Sequence, residues 1–151
     1  MDLETIEAIR ALKYRYLRTL DLKRWDEFGA CFTEDATASY SGGQYEFRGR
    51  ADIVAFMRES LGPTMITMHQ CHHPEIVVEG DRARGTWSLQ DTVIMTEFRL
   101  MLQGAAFYED EYVRGTDDEW RISHTGYVRT FEYTVALDDL PSFTLLQNRW
   151  Q

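Results

Sequence analysis

The apolar residues of the opening stretch, Ile6, Ile9, Leu12, Tyr16 and Leu20, recur at steps of three and four, which lines one side of an α-helix over residues 3–20. Residues 23–32 predict a short second helix with Trp25, Phe28 and Phe32 turned inward, and residues 36–40 a β-rich stretch. Gly42-Gly43 then turns the chain back through residues 44–47. Helical spacing returns over residues 50–61 through Ile53, Phe56, Met57 and Leu61, with Gly62 and Pro63 placed as a stop. Beyond Pro63 the pattern becomes one of long strands: 65–79, a turn at Gly80-Asp81, 82–95, about 98–114, a turn over 115–118, and 119–135. Helices first and antiparallel hairpins after predict an α+β domain, in which a curved sheet wraps the opening helices and encloses a pocket.

The chemistry is sought where this pattern is broken. In the strand 82–95, alternation puts Ala83, Gly85, Trp87, Leu89, Asp91, Val93 and Met95 on one face. Asp91 on that apolar face is costly unless it is paired, protonated or facing a polar cavity, or unless a bulge or a frayed end returns it to solvent. Asp21 ends the first helix, where the carbonyl end of the dipole disfavours a negative charge by roughly 0.3–1 kcal/mol. Either a partner compensates, or Asp21 caps the helix that starts in Leu22-Lys23-Arg24-Trp25.

Three of the four histidines lie within MITMHQCHHPEI, residues 65–76. In an extended strand His69, Cys71 and His73 point one way while Gln70 and His72 point the other. His-x-Cys-x-His can be drawn as zinc ligands, but a metal site takes three or four ligands from more than one segment, and no second Cys/His group exists in the chain. The expectation is therefore no metal. Proton transfer asks for less: one imidazole in a pocket with a carboxylate behind it. Asp21 or Asp91 can be that acid, and spacing does not choose between them.

Composition narrows the partners. A chain of 151 residues suits one domain, and 44% hydrophobic with 13% aromatic residues fills its core. A formal charge of −9 without any lysine-arginine block argues against nucleic acid and against an anionic membrane surface. No apolar run reaches the roughly 18–20 residues of a membrane-spanning helix. Cys31 and Cys71 are too few for a disulfide framework, and the start, Met-Asp-Leu-Glu, lacks a signal-peptide pattern. These features predict a cytoplasmic protein with free thiols.

The runs YRYLRTLDLKRWDEFGACFTEDA, GRADIVAFMRESLG, TMHQCHHPEIVVEGDRARGTWSLQD and DDEWRISHTGYVRT together resemble the SnoaL-like branch of the NTF2-like superfamily, over most of residues 5–130. Within it the chain looks most like the group of scytalone dehydratase, bile acid 7α-dehydratase and hexachlorocyclohexane dehydrochlorinase. The resemblance implies a cone-shaped α+β barrel with a mixed, mainly antiparallel sheet, usually assembled as a homotrimer, with no metal or organic cofactor. It also matches Asp21 in TLDLKRW and His69 in ITMHQCHHPEI to the catalytic dyad of that group. Tyr16 matches a tyrosine of the bile-acid enzyme, and Asp91 and Arg129 fall close to that enzyme's further polar residues. His72 and His73 match no functional position.

The expected function is elimination, above all of water, from a small hydrophobic hydroxylated substrate that is cyclic or polycyclic: steroid-like, aromatic or terpenoid. His69 would remove a proton next to a carbonyl, Asp21 would orient it, and Tyr16 would donate to the carbonyl oxygen. Asp91 or Arg129 would assist the departing hydroxyl or position the substrate, Asp91 donating a proton only if burial keeps it protonated. Leu17, Phe56, Trp87 and Leu89 are candidate pocket walls, or else plain core. Ketosteroid-type isomerisation and a non-catalytic binding or assembly module are the alternatives. The domain is expected over residues 1–136. The tail 137–151, with Leu140, Phe143, Leu145, Leu146 and Trp150, serves as a lid or a subunit contact. Tyr127, Phe131 and Tyr133 share Arg129's face by alternation, so a stacked arginine at an interface is its competing role.

Overall fold

The computed structural model describes residues 2–151. Its elements are α1 (Leu3–Asp21), α2 (Trp25–Ala30), β1 (Phe32–Tyr40), β2 (Tyr45–Arg48), α3 (Arg50–Ser60), β3 (Met65–Glu79), β4 (Arg82–Met95), β5 (Leu100–Arg114) and β6 (Trp120–Ala136), followed by a 3-10 turn at Leu137–Asp139. α1 starts where Asp2 accepts from the Thr5 amide at 3.0 Å, which satisfies one of the orphan N–H groups of the first turn. Its stripe of Ile9, Leu12, Tyr16 and Leu20 is buried, as the periodicity predicts. α2 is shorter than predicted. Phe32 leaves the helix and pairs in parallel with Ile122 of β6, and the Cys31 carbonyl accepts from the Ile122 amide. Tertiary strand pairing overrides a spacing that fits a helix equally well.

One six-stranded sheet runs in the order β2-β1-β6-β5-β4-β3, with β1 and β6 parallel and every other pair antiparallel. Together with the three helices it makes an α+β fold. α1 lies against the inner face, where Trp87, Tyr108, Tyr112 and Ile122 join Ile9, Leu12, Tyr16, Phe28 and Phe32 in one core. Each such side chain contributes roughly 1.5–3 kcal/mol on leaving water.

Two bulges shift faces that simple alternation misassigns. In β3 the register slips between His72 and Glu75, and His73 takes a φ of 48°. His73 thereby leaves the face of His69 and joins His72 at a pocket on the outer face, beside Ser88, Gln90, Phe131 and Tyr133. In β6, Arg129 faces Ala106 while Phe131 faces Ala105, so Thr130 is the extra residue. Tyr127 and Arg129 point into the cone, whereas Phe131 and Tyr133 point outward, 58% and 49% exposed. The shared face expected for these residues is not formed.

The core also holds a charge pair that no pattern announced. Lys13 and Asp110 are both fully buried, with Nζ 2.7 Å from Oδ2. Asp110 also accepts from Tyr112 Oη at 2.8 Å and Thr125 Oγ1 at 2.7 Å, and Trp87 Nε1 donates to Tyr112 Oη at 2.9 Å. The ammonium lies 3.5 Å from the Tyr108 ring centroid.

Burial pushes the Cys71 thiol up to about 12 and raises the phenols of Tyr16, Tyr40 and Tyr108 above their ordinary value. A raised folded pKa means that the unfolded chain loses its proton first. The stability these groups confer is therefore intact below about pH 9, the ordinary thiol value, and is lost as pH rises from there toward 12. Thermal melts are expected to be flat through neutrality and to fall above about pH 9. A melting temperature unchanged up to about pH 12 is the opposite result.

After β6 the buried Leu137 donates its amide to the Arg99 carbonyl, and the chain returns toward the α3–β3 link. Asn148 Nδ2 donates to the Pro63 carbonyl at 3.2 Å, and the half-buried Trp150 ring lies 5.2 Å from Lys23 Nζ. Lys23 itself donates to the Met65 carbonyl at 2.6 Å. Leu146, by contrast, is 91% exposed.

Candidate active site

Asp21 is the last residue of α1, and its carboxylate reaches β3, the edge strand of the sheet. An edge strand leaves backbone donors open, and Asp21 Oδ2 takes one of them, the His69 amide, at 2.8 Å. Oδ1 accepts from Thr67 Oγ1 at 2.8 Å and pairs with His69 Nδ1 at 2.6 Å. These three donors are what compensate the unfavourable helix end. Asp21 does not cap α2, whose N-cap is Arg24 without any side-chain bond. With a carboxylate at Nδ1, that nitrogen carries the ring proton, and the Nε2 lone pair is left for the cavity.

His69 lines a half-open cavity of about 190 Å³. Leu20, Met57, Leu61, Met65 and Val93 form its aliphatic wall, and Tyr40, Tyr45, Phe56, Tyr108 and Tyr127 its aromatic wall. Asp91 is paired with His69 across β3 and β4, is 4% exposed, and faces the same space. It is neither in a bulge nor at a frayed end. Arg129 Nη1 and Nη2 donate to its two oxygens at 2.5 and 2.8 Å, a bidentate clamp. This bond raises the arginine's pKa further, against the opposing pull of burial. The clamp crosses β5 at Gly104, the residue opposite Asp91, where a Cβ would stand 2.8 Å from Arg129 Nη1 and from the Phe131 carbonyl oxygen. Arg129 Nε lies 3.2 Å from Glu132 Oε2, an ion-pair contact without the alignment of a hydrogen bond. The guanidinium also sits 5.3 Å from the Tyr127 ring centroid, so its stacking partner is inside the cone.

Of the four wall residues expected from sequence, only Phe56 lines the cavity. Leu17 of α1 and Trp87 and Leu89 of β4 are core, at 7%, 0% and 2% exposure, and belong to one buried cluster. Tyr16 is fully buried and does not line the cavity. Its ring meets Tyr108 edge-on at 6.2 Å, and its hydroxyl has no partner. Sequence reasoning missed Tyr40. It does line the cavity, it is 2% exposed, and its hydroxyl is also unpartnered. Burial holds that phenol in its protonated, donating form. The alternation of Ala36, Ala38 and Tyr40 places it on the inward face, but alternation does not separate a cavity wall from a packed core. Among the described residues no three His, Cys, Asp or Glu side chains gather as a metal site.

The fold recurs in solved structures. A provisionally named scytalone dehydratase of Novosphingobium aromaticivorans superposes with a TM-score of 0.80 at 22% identity, over 87% of this chain and 88% of that one. The hexachlorocyclohexane dehydrochlorinase LinA-type3 of Novosphingobium barchaimii gives 0.81 at 18% identity, over 96% of each chain. The Kfla4162 protein of Kribbella flavida gives 0.79 at 23% identity, over 87% of this chain and 95% of that one. Likeness at these identities establishes the cone-shaped α+β fold. The sequence itself matches the SnoaL-like domain over residues 1–126, most of its length, and the chain therefore belongs to the SnoaL-like domain family.

Proposed function

We propose that this chain is a lyase of the dehydratase type, which eliminates water from a cyclic hydroxy ketone using only its own side chains. The observation that carries the reading is the 2.6 Å bond between His69 Nδ1 and Asp21, made at the wall of a cavity with aromatic and aliphatic sides. In a β-hydroxy ketone held there, Nε2 takes the proton from the carbon next to the carbonyl. Asp21 stabilises the imidazolium as enolate charge develops on the carbonyl oxygen. The C–O bond to the β-carbon then breaks as the C=C bond forms, and the departing hydroxide takes the proton back from Nε2 and leaves as water. His69 ends as it began. The Arg129–Asp91 clamp lines the same space and is placed to hold the leaving hydroxyl. The dehydratase and dehydrochlorinase names of similar folds agree with such chemistry, in which a base removes a proton and a neighbouring group departs.

A screen of cyclic β-hydroxy ketones by mass spectrometry tests this. With wild type, at least one member is expected to lose a single water, and with His69→Ala none. A product of unchanged mass with a moved double bond makes the protein an isomerase instead. Ligand retention without turnover, equal in wild type, His69→Ala and Asp21→Asn, replaces the enzyme reading with a binding module.

A further inference from the structure

Resting on that reading, we infer that the cavity selects an uncharged substrate built on a single six-membered ring, and that Asp91 and Glu132, by holding Arg129 between them, turn carboxylated substrates away. Size comes first. A dry cavity of about 150 Å³ accommodates benzene, whereas pockets for drug-sized ligands run to about 300–1,000 Å³. At about 190 Å³, this cavity is filled by one ring with its carbonyl and hydroxyl. The walls resist enlargement: Tyr40 stacks on Phe56 at an interplanar angle of 20°, and Phe56 packs on Phe47 at 4.4 Å. Fused rings have either to displace that aromatic stack or to project from the mouth of the cavity. On this inference steroid-like and polycyclic substrates bind less well than a single ring.

Charge gives the second restriction. An arginine on a cavity wall ordinarily offers its two terminal nitrogens to a carboxylate. Here Asp91 takes one N–H from each, filling the bidentate position that a substrate carboxylate would need, and Nε faces Glu132. Lys23, near the rim, is directed onto the Met65 carbonyl. Around the site stand three carboxylates, Asp21, Asp91 and Glu132, against two cations, the Arg129 guanidinium and the Lys23 ammonium, with His69 uncharged when it acts as a base. A substrate carboxylate therefore meets surplus negative charge. One unbalanced charge at about 5 Å under an effective dielectric of about 20 corresponds to roughly a hundredfold in affinity.

Calorimetric titration with product-like enones tests both restrictions without requiring turnover. The probes are cyclohex-2-enone, a fused bicyclic octalone, testosterone, and a cyclohex-2-enone bearing a ring carboxylate. Cyclohex-2-enone is expected to bind, the octalone and testosterone at least tenfold more weakly, and the carboxylate about a hundredfold more weakly than its parent. Glu132→Gln, at a half-exposed position, is expected to narrow the carboxylate gap severalfold and leave the size ranking unchanged. Testosterone binding as tightly as cyclohexenone overturns the size limit. A carboxylate equal to its parent, or a gap untouched by Glu132→Gln, overturns the charge filter, and a series in which nothing binds overturns both. Because binding is read directly, a failed elimination screen leaves this result standing, and a failed ranking here leaves the elimination result standing.

Discussion

Replacing Lys13 with methionine is expected to destabilise the fold by about 3–5 kcal/mol and to lower its melting temperature by about 10 °C or more. The cause is not the loss of an attraction but what is left behind. Asp110 has no exposure, and without the ammonium it keeps only two neutral donors, Tyr112 Oη and Thr125 Oγ1. A carboxylate in that position is a desolvated charge without a counter-charge. The methionine itself fits the lysine stem, so packing contributes little to the effect. The double variant Lys13→Met with Asp110→Asn separates these contributions. Its amide oxygen still accepts a hydrogen bond, no charge remains, and most of the stability is expected to return. Urea unfolding of wild type and both variants measures this. A single variant as stable as wild type contradicts the argument, and so does a double variant no better than the single.

That pair also marks where the chain stops being legible from its sequence. The helix stripe Ile9, Leu12, Tyr16 and Leu20 and the strand alternation of residues 82–95 are local periodicities, so α1 and β4 were readable within a residue or two. Lys13 meets Asp110 across 97 positions, and nothing local marks either residue as buried. The same limit governed the site. Asp21 was visible as an acid at the wrong end of a helix, and Asp91 as an acid on an apolar face. Arg129 reaches Asp91 only because Gly104 leaves room and because Thr130 bulges, and neither event has a periodic signature. The bulge at His73 likewise undid the sorting of histidines by face. Tyr40 escaped notice because an inward tyrosine reads the same whether a packed side chain or a cavity lies in front of it.

The largest effect on turnover is expected at the dyad. His69→Ala removes the base, and rate losses of about 10²–10⁴ accompany loss of a general base. Asp21→Asn is the more discriminating change, because it keeps the shape and alters only which atoms donate. The amide oxygen can still accept from the His69 backbone N–H, now held by Oδ2 at 2.8 Å. The amide nitrogen then faces His69 Nδ1, where Oδ1 stands at 2.6 Å, and donates to it. The imidazole proton is driven onto Nε2, the nitrogen that has to be bare to accept a proton from substrate. Exchanging acid for amide in this way costs about 10⁴ in a serine-protease triad. A loss of that order is expected here with the fold retained, since Thr67 Oγ1 can reverse its role and accept from the amide. Because the two side chains act as one unit, the double variant is expected to be no slower than the worse single one. Steady-state kinetics beside thermal melts measures this. Full activity in Asp21→Asn means that the pair only ties α1 to β3, and a loss of turnover in strict proportion to lost folded protein means the same.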